Sequence, residues 1–149
     1  MLSRWHIFYG SIFSLSIWLI VPQLKWYYVL FIFLSSFLIN LDHYLYYLIK
    51  TKKIRLANYF DYRKKRILKE KEENKKGIKT KGDLHIFHTL EFHILVGILS
   101  IFWMSFFYIL IGMIFHSLLD IIYLVYNGLI YRREFFMTKW LYKKMFMFI

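Results

Sequence analysis

The chain has 149 residues, enough for one domain, and carries 21 Lys and Arg against 9 Asp and Glu, a net charge of +12. An apolar fraction of 59%, with 23% aromatics and a mean hydropathy of +0.43, exceeds what so short a water-soluble domain can bury, so part of that surface is expected to face lipid. The absence of cysteine excludes disulfides and thiolate metal sites.

The first membrane span is expected at about 5–21, from Trp5 to Val21. No small-residue cleavage site follows it, so it reads as a helix that stays rather than a removed leader. A second span is expected at about 26–41. Pro22 to Lys25 allow only a tight turn between the two, which makes an antiparallel hairpin. Both are slightly shorter than the ~20 residues that cross a hydrocarbon core. Trp5, Trp26, Tyr27 and Tyr28 flank them as interfacial anchors.

Residues 50–81 change character, with 14 Lys or Arg against four acids, Asp61, Glu70, Glu72 and Glu73. A weak helical stripe of Leu56, Tyr59, Phe60, Ile67 and Leu68 suits a segment lying partly on the membrane surface, and Lys75-Lys76-Gly77 ends it. A solvated basic loop is the plain reading, and binding of anionic lipid headgroups extends it. Nucleic acid is not expected as a partner beside so much membrane. The apolar stretch after Leu84 is long enough for two further spans, about 84–103 and 106–130, with a turn near Ser100 to Ser105. Segment 131–149 mixes Arg132, Arg133, Lys139, Lys143 and Lys144 with Phe, Met and Trp, and reads as interfacial and amphipathic.

The expected fold is an all-α integral membrane bundle of about four transmembrane helices, one domain over 1–149, with a basic cytoplasmic loop. Positive charge concentrates in loop 50–81 and the C-terminal segment, which places both with the termini on the cytoplasmic side of a multi-pass plasma (inner) membrane protein.

Ionisable groups inside such spans are costly and mark function. This topology brings His6, Asp42, His43, His85, His88, His116 and Asp120 from four helices to one level at the inner leaflet. His116 and Asp120, four apart, share a helix face, as do His85 and His88, three apart. Glu91 continues the latter row as a candidate catalytic base or further ligand, whereas His93 points away. Imidazole and carboxylate together suit one or two divalent cations, zinc first, with manganese or iron as alternatives. Such a cation acidifies water and stabilises a leaving oxygen, so the chemistry expected is metal-dependent hydrolysis, most plausibly of a phosphoester or lipid-linked substrate. Blander readings stand beside this: a helix-end cap for Asp42, and hydrogen-bonded interfacial roles for His6 and His93. As whole-chain alternatives there are a non-catalytic scaffold or lipid-binding partner subunit and a haem-binding bundle, the latter opposed by carboxylates beside the histidines.

Leu38-Ile39-Asn40-Leu41-Asp42-His43 resembles the L-P-D-x-D-H signature of the YdjM-like membrane-bound metal-dependent hydrolases. His85-x-x-His88-Thr89 is similar to a variant of that family's H-[ST] motif. Gly112 to Asp120 is similar to its G-x-x-x-H-x-x-x-D helix, and His6 stands where the family has an early histidine. The order of motifs matches over most of the chain, with 50–81 and the C-terminal segment outside the resemblance. It implies a helical bundle holding zinc through His and Asp, distantly like zinc-dependent phospholipase C. Ile39 and Asn40 stand in place of the family's Pro and Asp, which removes one carboxylate, and the H-R-x-x-[ST]-H arrangement becomes a closer His pair without Arg.

Overall fold

A computed structural model describes residues 3–146, and every regular element among them is helical. Helix α1 (Ser3–Ile20) stops before Pro22, which lacks an amide and disfavours helical geometry in the residue ahead of it. The Leu24 amide bonds back to the Val21 carbonyl at 3.0 Å, closing the expected tight turn into α2 (Trp26–Leu38).

At Ile39-Asn40 the helix breaks. The Asn40 and His43 amides each reach three residues back, to the Phe37 and Asn40 carbonyls at 3.1 Å, instead of four. That tighter step bends the chain into α3 (Leu41–Thr51), so the Tyr-rich tail expected after residue 41 is a further helix.

The basic stretch is mostly not a loop. Twenty of its residues form α4 (Leu56–Lys75). Gly77, at φ 74°, closes it in a Schellman motif, with Ile78 N bonded to Glu73 O and Gly77 N to Asn74 O. Tyr59 and Tyr62 pack their rings against the buried Tyr47 of α3, and Arg66 pairs with Asp83 and Glu70. Arg132, from beyond the bundle, bonds Glu73 at 3.1 Å. These contacts dock α4 on the bundle.

A single 3-10 turn, Ile86–His88, leads to α5 (Leu90–Phe102), whose Thr89 side chain caps the Phe92 amide. Helix α5 is therefore shorter than the span expected at 84–103; its 13 residues reach only about 20 Å at the helical rise. One extended residue, Trp103, separates it from α6 (Met104–Tyr126), placing the turn inside the expected interval. Gly128, at φ 65°, ends α6 in a second Schellman motif, with Leu129 N on Leu124 O and Gly128 N on Val125 O. A 3-10 turn, Ile130–Arg132, and α7 (Met137–Phe146) follow. The last three residues of the expected interfacial segment 131–149 lie outside the described residues.

Helix α6 packs against α2 and α5, and α1 lies on α2 and α6. Small residues set the closest approaches: a Cβ at Gly112 would collide with the Ile32 carbonyl, and one at Gly10 with the Ser36 hydroxyl. Stacked rings, Phe13 on Phe115 and Tyr28 on Tyr108, fill the gaps between helices.

Burial is inverted relative to a water-soluble fold. His6 and His116 are 0% exposed, whereas Leu19, Ile49 and Ile101 are about 80% exposed. Two helical stretches, Trp26–Thr51 through its kink and Met104–Tyr126, are long and apolar enough to cross a membrane.

Candidate metal centre

The kink between α2 and α3 and the short turn before α5 build the site. Because the Asn40 amide turns to Phe37, the Ser36 carbonyl has lost the amide that would have closed its helical turn. It accepts instead from His116 Nδ1 at 2.7 Å. A carbonyl can only accept, so His116 Nδ1 carries a proton, and it is Nε2 that faces the interior of the cluster. His88 is set the same way. Its Nδ1 donates to Asp42 Oδ2 at 2.9 Å, and the same oxygen accepts the Phe87 amide at 3.1 Å.

The Nε2 atoms of His88 and His116 face one another at 3.0 Å. Asp120 Oδ2 completes a triangle, 3.3 Å from His116 Nε2 and 3.6 Å from His88 Nε2. Two imidazole nitrogens and a carboxylate at these separations need a proton or a metal cation among them. Ligand atoms about 2.0–2.1 Å from a tetrahedral zinc ion stand about 3.3 Å apart, so the edges of this triangle match a metal's coordination sphere.

His6 reaches the other oxygen of Asp120, Nε2 to Oδ1 at 3.1 Å, and its ring stacks on His116 with centroids 3.9 Å apart. His6, His116 and Asp120 form one buried group able to hold a metal ion, and Asp42, His43 and His88 form a second. His88 faces both, one nitrogen toward each. His85 joins the second group through His43, Nδ1 to Nε2 at 2.9 Å, and its Nδ1 stands 3.9 Å from Asp42 Oδ1. His6 Nδ1, Asp42 Oδ1 and His85 Nδ1 are buried without a hydrogen-bond partner, open valences of the kind a ligand closes.

Burial holds His85 down to about 3, and burial also pushes His88 below the ordinary imidazole range against the pull of Asp42. Both rings are neutral at pH 7, the form that binds a cation. Zinc, manganese and iron all accept such an N/O set.

All seven residues expected as ligands thus come together. Glu91 does not join them. Its carboxylate accepts the Met137 and Thr138 amides, each at 3.1 Å, and the Thr138 hydroxyl at 2.9 Å, capping the start of α7. The pattern that pointed to it, three residues beyond His88, assumed one continuous helix; the 3-10 turn and the extended Thr89 rotate Glu91 out of that row. His93 stays outside the cluster, joining Thr89 O at 2.8 Å and Ser117 Oγ at 3.1 Å between α5 and α6.

A cleft of about 820 Å³, counting its open mouth, reaches His43, His85, His88 and Asp120. Its lining also carries Arg63 and Arg66 from α4, and Arg132 and Arg133 from beyond α6. None of these arginines is marked out by spacing, since those on α4 sit in a run of cations and the other two read as interfacial.

Comparison with protein-family models, with curated proteins and with solved structures finds no match to this chain.

Proposed function

We propose that the chain is a membrane-embedded, metal-dependent hydrolase acting on a phosphoester or lipid-linked substrate at the cytoplasmic leaflet. The observation that carries the reading is the triangle of His88 Nε2, His116 Nε2 and Asp120 Oδ2, with both imidazole tautomers set by hydrogen bonds on their far sides. A structural polar cluster would close its own valences, whereas this one turns two imidazole nitrogens and a carboxylate oxygen toward one point.

In this reading His88, His116 and Asp120 hold one divalent ion, zinc by preference, with His6 bracing Asp120 from behind. Asp42 and the Ser36 carbonyl orient the two imidazoles, the outer-shell role that fixes ring direction and basicity. His43, His85 and Asp42 offer a second position. The metal supplies Lewis acidity, polarising a phosphoryl oxygen and acidifying water. The bundle excludes bulk solvent from one side of the cluster, and the cleft under α4 admits substrate on the other.

A bundle of about four spans fits the exposed apolar belt, with the short α5 and α1 crossing beside the two longer stretches. The positive charge of 50–81 and of α7 then sets the cytoplasmic face, where α4 would meet anionic headgroups. The motif positions that resemble the YdjM-like family, His6, Asp42, His43, His88, His116 and Asp120, are among the residues this reading uses, with Asn40 departing from the family's carboxylate.

The direct test is elemental mass spectrometry of the detergent-purified protein beside a His116→Ala/Asp120→Ala variant. Near-stoichiometric zinc, manganese or iron that disappears in the variant is expected. Absence of metal from both after supplying it would refute the reading.

A further inference from the structure

The cleft holds four guanidinium groups, and their partners differ. Arg66 is engaged by Asp83 and Glu70, and Arg132 by Glu73, Glu70 and Thr80. Arg133 has no ion pair among the described residues. Its closest polar contacts are the His88 carbonyl and the Ser117 hydroxyl, both at a long 3.4 Å from Nη2. Its Nε is buried with no hydrogen-bond partner, and so is the Nε of neighbouring Arg132. Arg132 and Arg133 both line the cavity that also reaches His88 and Asp120, and each keeps one buried N–H donor open, Arg133 with no carboxylate partner among the described residues.

A half-buried guanidinium that has only long contacts and an aromatic ring, Phe135, in place of a carboxylate is costly, and an anion can meet it. The planar fork of arginine matches the tetrahedral oxyanion of a phosphoryl group, which can turn one oxygen to the fork and another to a neighbouring cation. We infer that Arg133, supported by Arg132, forms a phosphoryl-anion subsite beside the His88–His116–Asp120 triangle. The remainder of the ligand lies along Ile67, Tyr123, Leu124 and Leu129, the apolar wall of the same cleft. The inference deepens the hydrolase reading and rests on it for the role of the anion, while the subsite itself is made by the chain's own arginines.

The reason Arg133 reaches this position is local. The Schellman turn at Gly128 reverses the chain at the end of α6, and the turn Ile130–Arg132 carries it back toward α5. Gly82 N bonds the Arg132 carbonyl at 2.9 Å, and a Cβ at Gly82 would collide with that oxygen. The segment bearing both arginines is thus pinned against the strand of chain that leads to His85.

The test is calorimetric titration of the full-length, zinc-supplied protein in zwitterionic detergent with two probes, inorganic phosphate and dihexanoyl phosphatidic acid. Arg133→Gln is expected to weaken phosphoryl binding roughly tenfold or more while zinc per chain stays at the wild-type value. Arg133→Lys, which keeps the charge and loses the fork, should weaken it less, and serves as the reading if the glutamine variant does not stay folded. Binding of the lipid probe alone assigns the subsite to a headgroup phosphate; binding of inorganic phosphate alone assigns it to a free phosphate or a soluble ester. Wild-type affinity in both variants, or no binding of either probe to the wild type, overturns the inference. Arginine-dependent phosphate binding in a protein that takes up no zinc would leave the subsite standing and remove the hydrolase reading instead.

Discussion

Two polar clusters lie within reach of the same cleft, and they are built on opposite principles. The ionic clasp that docks α4 pairs its charges: Arg66 with Asp83 and Glu70, Arg132 with Glu70, Glu73 and Thr80. Acids and bases are matched there, and the side chains keep some contact with solvent. The histidine cluster is deeper and only partly closed, with two imidazole nitrogens and a carboxylate oxygen turned toward one point and buried atoms of His6, Asp42 and His85 left open. A network that serves only stability satisfies its members, because each unsatisfied buried group is a loss. Open valences at the deeper cluster therefore mark where a ligand belongs, whereas the clasp leaves open a single buried atom, the Nε of Arg132 at its edge on the cleft.

The largest effect that can sharpen this contrast lies within the histidine cluster. Asp120→Ala is expected to weaken zinc binding by more than about 100-fold, whereas Asp42→Asn, which loosens the orientation of His88, should weaken it about 10–100-fold. Competition against a fluorescent zinc chelator measures both. Equal losses would promote Asp42 from an orienting group to a direct ligand.

The next effect belongs to the clasp. Arg66→Met leaves Asp83 and Glu70 without their shared cation and is expected to cost about 1–3 kcal/mol in heat-induced unfolding in detergent. Zinc content should not change. Loss of zinc in this variant would show that the two clusters are one unit, contrary to the division drawn above.

The smallest effect is a pH response confined to the clasp. Hydrogen bonds from Arg132 first, then from Thr80, hold the Glu73 carboxyl below its ordinary value of 4.5. An undocked Glu73 binds protons more readily than the docked one. The contribution is therefore complete above about 4.5 and is lost as pH falls through the lower docked value. The cysteine-free chain accepts a single spin label at Lys79→Cys, and its mobility should rise on acidification below about 4.5. Glu73→Gln should remove that response; a label whose mobility stays unchanged throughout an acid titration that starts at pH 7 and runs well below 4.5 would contradict it.

The all-helical class, the hairpin turn at Pro22 and the spacing of His116 and Asp120 were legible from residue pattern. Apolar runs specify helices in lipid, and a four-residue interval specifies a shared face without any tertiary information. His6 was legible less directly. A lone histidine at a helix start is usually interfacial, and only the packing of α1 on α6 brings it to Asp120. Glu91 was misread because the pattern presumed a continuous helix through Thr89.

The sequence by itself determined which groups pay the cost of leaving water: ionisable side chains set in or beside apolar helices. Tertiary structure decided what those groups face. The kink at Asn40 releases the Ser36 carbonyl to set the His116 tautomer, α4 folds over the histidines, and Arg133 returns to the cleft without a carboxylate partner. Each depends on contacts between residues far apart in the chain. Whether a valence is closed or open can be read only once every neighbour is in place.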